Sequence, residues 1–332
     1  MHAPIVRNVL ALAALTLVSS AHAAAGPFSH KDKDAEVKVA KGDMFKGKST
    51  LAIGSFRVAF ITEDVAVSTS HGAFSNGGSA AKMTGQLIGV DHALMQKIAD
   101  QVYADFLKQA AAKGYTIIDS AAVAAKSTAY SAIPQTANYA DSRIGTLVIP
   151  TGQRSVALAA DDSAKQSKGS VSLGGAFGNL GKSVAKAEAN KAFPVAAKEL
   201  GAPVMGVTIV VNFANFKGTS SSFGSSKATV EPGATIDGSN KNDLALFTSI
   251  LAWDGSTCAA AVPCEARVMQ EGQIHSSDPI GKTTSTGKNE HFFNSSKGTA
   301  TIDADPALFE THVLEVSTEA TDMLLSAISK EK

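Results

Sequence analysis

Residues 41–61 read KGDMFKGKSTLAIGSFRVAFI. Within them Gly42, Gly47, Lys48 and Ser49 spell G-x-x-x-x-G-K-S, the letters of a phosphate-binding loop. Such a loop traps an anion because a strand delivers the chain into a Gly-rich turn and the helix that opens at Lys-Ser adds its positive end. Here Lys48-Ser49 runs into LAIGSFRVAFI (Leu51 to Ile61), a β-rich and mostly apolar run that suits a strand buried on both faces. No helix dipole then faces the loop, so GDMFKGKS reads as a tight turn leading into the first strand. A looser echo, AFGNLGKS at Ala176 to Ser183, precedes a helical stretch, but its first position is Ala and only SVSL leads into it. No nucleotide and no other cofactor is expected.

The pattern beyond Ile61 is that of an α/β chain. STSHGAFSNGGSAAK lacks periodicity and reads as a loop. Asp91 then caps a helix whose apolar residues Leu94, Met95, Ile98, Val102, Phe106 and Leu107 recur at three- and four-residue steps, with Gly114 just past its end. YTIID (Tyr115 to Asp119) resumes as a strand. Further on, IGTLVIP is a short strand candidate and VAKAEANKAFPVAAKELG reads as helical apart from Pro194. In PVMGVTIVVNFANF, residues Met205, Val207, Ile209, Val211 and Phe213 alternate with smaller or more polar ones, the period of a long half-buried strand. LALFTSILAW (Leu244 to Trp253) precedes the turn pair Asp254-Gly255, and ARVMQEGQI pairs back. A last helix is capped by Asp305, carries Pro306 in its first turn, and lines up Phe309, Val313, Val316, Ala320, Met323, Leu324, Ala327 and Ile328 on one stripe. The expected fold is α/β (α+β): a mixed sheet with helices packed on it and long polar loops between the late strands.

Residues 1–23 have the form of a secretory signal peptide, with Arg7, the apolar run NVLALAALTLVSS and small residues at a cleavage site between Ala23 and Ala24. Removing them leaves 309 of the 332 residues. Residues 24–48 read as an exposed lead-in and 49–332 as a single α/β domain with Gly/Ser-rich inserts at about 66–86, 163–183, 217–243 and 272–304. No transmembrane helix is expected in the mature chain. Without a cysteine at the cleavage site, a periplasmic or secreted protein is expected. Cys258 and Cys264 are the two cysteines, and in an exported chain so close a pair reads as a disulfide stapling a local loop.

Acidic and basic residues balance at 30 each, so neither nucleic acid nor an acidic membrane surface is an expected partner. No G-x-S-x-G and no H-E-x-x-H occurs. The histidines are scattered, and the acidic pairs Glu63-Asp64 and Asp161-Asp162 read as solvated turns, so neither a metal site nor a catalytic residue is assigned. KGTSSSFGSSKATVEPGATIDGSNKND is long for an idle loop. Phe216, directly before it, and Lys217, Phe223, Lys227 and Lys241 within it are the candidate contacts to a partner, and deleting Thr219 to Ser239 is expected to spare folding.

Taken in order, STLAIGSFRV, DHALMQKIADQVYADFLKQAAAKGYTIID, ELGAPVMGVTIVVNF, LALFTSILAWDGST and ALFETHVLEVSTEATDMLLSAI resemble the envelope-protein domain of the curli-secretion channel (CsgG-like) family and the TolB amino-terminal domain. The resemblance implies a soluble envelope fold. In the channel members, segments equivalent to Lys217–Asp243 and Gly272–Pro306 become membrane-spanning hairpins. TSSSFGSSKATVEPGATIDGSN, with one aromatic and a Pro, lacks the alternation and aromatic girdles that spanning needs. The expected function is an exported, non-catalytic binding or assembly protein, engaging a protein or other envelope macromolecule and open to homo-oligomerisation. The alternatives are an oligomeric secretion or translocation channel component of the outer membrane, and an enzyme acting on an envelope component.

Overall fold

The computed structural model describes residues 31–33, 35–71, 78–142, 145–156, 158, 188–220, 225–238, 247–257, 264–276, 278–286, 290–292 and 295–332. The anticipated cleavage site at Ala23 and Ala24, the insert at 163–183 and the Asp161-Asp162 pair lie outside them.

The fold is α/β, built on a mixed sheet. Its centre is β3 (Thr50–Ile61) beside β9 (Val204–Ser220), paired in parallel from Ala52 against Val204 to Phe60 against Val211. Beyond β3 lie β6 (Thr116–Ile118), parallel, and β8 (Gly145–Val148), antiparallel, with β7 (Ala140–Ser142) outside β8. Along the other edge of β9 run β11 (Ser249–Trp253) and β10 (Ser225–Asp237), end to end. Next come β12 (Ala266–Glu271) and β13 (Gln273–Ser276), and last β2 (Glu36–Ala40) and β1 (Lys31–Lys33).

One face of this sheet carries α1 (His92–Ala112) and α5 (Pro306–Lys330). Their buried stripes, including Ile98, Val102, Phe106, Val313, Val316 and Leu324, close on Leu51, Phe56, Val58, Val207 and Ile209. The other face is covered by α2 (Ser120–Lys126), α3 (Thr128–Ser131) and α4 (Glu188–Leu200) around Phe193, Tyr130, Val204 and Trp253. Each such fully buried large side chain contributes about 1.5–3 kcal/mol. Asp91 and Asp305 cap the two long helices, accepting from Leu94 N at 2.8 Å and from Ala307 N at 2.9 Å. Among the described residues, no helix is long and apolar enough to cross a membrane.

Several expectations need correction. Because helices cover both faces around Val204–Val211 and residues 63–71 lie against the strand beyond, β9 is buried on both sides from Val204 to Asn215 and is not a half-buried strand. The lead-in is not wholly exposed: β2 extends the sheet, and the 3-10 turn Gly42–Phe45 buries Met44 and Phe45. The polar stretches are not long loops. The insert at about 66–86 belongs to β4 (Glu63–His71) and β5 (Gly78–Ile88), and 217–243 belongs largely to β9 and β10. The insert at 272–304 supplies β13, β14 (Gly281–Thr286), β15 (Glu290–Phe292) and β16 (Ser295–Ala304). The apolar partners of these weakly amphipathic strands come from distant parts of the chain, so local reading could not supply them.

Candidate binding surface

Beyond Val211, β9 leaves β3 behind and continues with β10 alone, antiparallel from Val211 against Ile236 to Ser220 against Ser226. A second, four-stranded sheet in the order β14-β16-β5-β4 stacks on this hairpin. β4 and β5 are antiparallel, β14 and β16 are antiparallel, and β16 joins β5 in parallel. Between the layers lie Ala66, Ala81, Met83, Ala228 and Ala300, flanked by Phe216 and Val230. Small residues bring the layers unusually close. The Phe216 ring occupies the space over Gly85, where a Cβ would come within 2.5 Å of its Cζ, and it meets Phe213 edge-on at 5.5 Å. At the hairpin end Ser226 Oγ donates to the Ser79 carbonyl at 2.9 Å. Its oxygen therefore accepts from Ser79 Oγ at 2.7 Å.

The two layers are tied to the main sheet at Asn212. This side chain is 1% exposed, and its Nδ2 donates to Asp64 Oδ2 at the start of β4 and to Asp237 Oδ2 at the end of β10, each at 2.8 Å. Gln273 Nε2 donates to the other Asp237 oxygen at 2.8 Å. Two converging carboxylates are thus held by amide donors, a charge-assisted arrangement that fixes where the small sandwich leaves the scaffold.

Both outer faces of the sandwich are mostly polar, with Ile88 half exposed at the end of β5. On the hairpin, Lys217 pairs with Glu231 at 3.0 Å and stands opposite Thr229, while Lys227 stands opposite Thr219. On the second sheet, Thr286, Thr299 and Thr84 form one cross-strand row, and Thr284, Thr301, Gln86 and Glu63 form the next. Lys82 and the 58%-exposed Val67 flank them. Hydroxyls, amides and single charges repeated across neighbouring strands offer many modest hydrogen bonds to a polar surface.

The anticipated contact residues are divided by this arrangement. Lys217 and Lys227 lie on the outer face of the hairpin, carried by strands and not by a loop. Phe216 is turned inward and half-buried against Gly85, so it is a packing residue. Phe223 and Lys241 lie outside the described residues. The stretch is not dispensable either: Ala228, Ala234 and Ile236 of β10 are fully buried, so deleting Thr219 to Ser239 would open the core. Thr84, Thr299 and Thr301 were not anticipated. Their signal is the period-two alternation in KMTGQLI (82–88) and KGTATIDA (297–304), muted because its apolar members are mostly Ala and Gly.

Chemistry-bearing groups elsewhere are dispersed. Thr50–Ile61 is strand directly after Lys48-Ser49, with no helix at that point. Arg57 is fully buried on β3, its Nε donating to Thr208 Oγ1 at 3.0 Å. His275 Nδ1 meets Thr235 Oγ1 at 2.8 Å, His312 Nδ1 meets Glu315 at 3.0 Å, and His92 stacks on Tyr139 at 4.4 Å. Among the described residues, no group of three or more His, Cys, Asp or Glu is placed to hold a metal ion. Burial pushes the Tyr103 and Tyr130 phenols up to about 12. Both stay neutral, and Tyr130 donates to the Gly54 carbonyl at 2.6 Å. Cys264 is disulfide-bonded, and its N–H closes the β11–β12 turn on the Ser256 carbonyl at 3.0 Å. Its anticipated partner Cys258 lies outside the described residues. Compared with family models, with curated proteins and with solved structures, the chain matches none of them.

Proposed function

We propose that this is an exported, non-catalytic binding or assembly protein of the cell envelope, in which the α/β scaffold presents the small β-sandwich to a polar macromolecule. The observation that supports this reading is the cross-strand row Thr286–Thr299–Thr84 on the outer sheet, backed by a layer packed too closely to serve as a cleft. Rigid backing matters because a preorganised surface loses little side-chain freedom on binding. The signal-like residues 1–23 and the disulfide at Cys264 agree with an oxidising compartment.

Capture from native envelope extracts tests it, with the mass of the captured complex measured alongside. Thr84→Arg with Thr301→Arg should abolish capture while the circular dichroism spectrum is unchanged. Retained capture by the double variant would overturn the assignment to this face. Leakage of liposomes on adding the wild-type protein would instead favour a secretion or translocation channel, with the hairpins of the sandwich opening into the bilayer.

A further inference from the structure

β2 closes the main sheet on one side. It pairs with β12 from Glu36 against Glu271 to Ala40 against Arg267, and β1 continues the same register against β13. Among the described residues, no strand pairs with the outer edge of β2. Such an edge presents backbone donors and acceptors that template another strand. Glu36, Lys38 and Ala40 are exposed on one face, and Val37 and Val39 are half-buried on the other. The two valines line, with Met323 and Ala327 of α5, an open groove of about 470 Å³ rimmed by Asp322 and Lys330.

We propose that β2 pairs with β2 of a second copy of this chain, antiparallel about a two-fold axis at Val37, extending the sheet across both molecules and covering the groove. Symmetry and charge select this occupant. A two-fold axis perpendicular to the sheet keeps every side chain on its own face, and directly opposite residues of antiparallel strands share a face. The axis must therefore pass a residue that meets its own copy. At Glu36 it would set carboxylate on carboxylate, and at Lys38 ammonium on ammonium. At Val37 it sets Glu36 against the second copy's Lys38 and Lys38 against the second copy's Glu36, with Val37 on Val37 and Ala35 on Val39. Lys38 already lies between Glu271 and Glu36. These two carboxylates outnumber it, so the face draws a second lysine.

The mature full-length chain should sediment as a dimer at micromolar concentration. Lys38→Glu should raise the dissociation constant by at least about tenfold, because two facing pairs turn from attraction to repulsion. Adding Glu36→Lys to it restores the complementary order, again beside Glu271, and should restore the dimer. Val37→Cys should cross-link copy to copy under mild oxidant, and Ala40→Cys should not. A monomeric wild type overturns the proposal. So does an oligomer that ignores both charge variants and leaves Val37→Cys uncross-linked.

Discussion

Gly218 and Val67 meet backbone to backbone: a Cβ at position 218 would lie 2.3 Å from the Val67 carbonyl oxygen. The Ser68 hydroxyl donates to the neighbouring Thr219 carbonyl, so the hairpin and the second sheet are in direct register at this point. Any side chain at 218 must push the two layers apart.

Gly218→Val is therefore expected to destabilise the small sandwich by about 1–3 kcal/mol through overpacking. The main sheet does not depend on this contact. Hydrogen exchange should accelerate over 65–68 and 79–87 while the amides of 51–60 keep their protection. Equal acceleration in both regions, or none, would contradict this account of the layer contact.

Asn212→Ala withdraws one donor from each of Asp64 and Asp237 at a 1%-exposed site. Hydrogen bonds to charged groups carry more than neutral ones, so a loss of about 2 kcal/mol in urea unfolding is expected. Asn215→Ala is the comparison, since its contact with Glu231 at 3.4 Å is longer and Glu231 is exposed. If the two substitutions cost the same, the junction has no special role.

Tyr103 and Tyr130 set an alkaline limit. Their folded-state values near 12 exceed the ordinary tyrosine value of 10.0. Above pH 10 the unfolded chain releases these protons while the folded chain keeps them, so stability falls as pH rises from about 10 to 12. Burial is the leading cause for both, with Asp119 adding to it at Tyr103 and Arg154 opposing it at Tyr130. Tyr103→Phe with Tyr130→Phe should flatten the decline measured by chemical denaturation between pH 9 and 12. An unchanged slope would show that other groups govern it.

Much of the scaffold was legible along the chain. Leu51 to Ile61 announced a doubly buried strand, and the apolar steps of 94–107 and 309–328 announced two helices, because those signals arise from neighbours within one or two turns. The continuation of β9 past Phe216 was not legible. Lys217, Gly218 and Thr219 look like loop residues until Ala228, Gly85 and Val67 are placed around them.

Local chemistry was enough to settle the Asp91 and Asp305 caps, the strand that follows Lys48-Ser49 and the layering of helices on a sheet, since each depends on steric and hydrogen-bonding preferences of adjacent residues. The small sandwich had to await long-range pairing. Thr299 stands beside Thr84 and Ser226 beside Ser79, and alanines and glycines carry too little hydrophobic contrast to announce a buried face before its distant counterpart arrives.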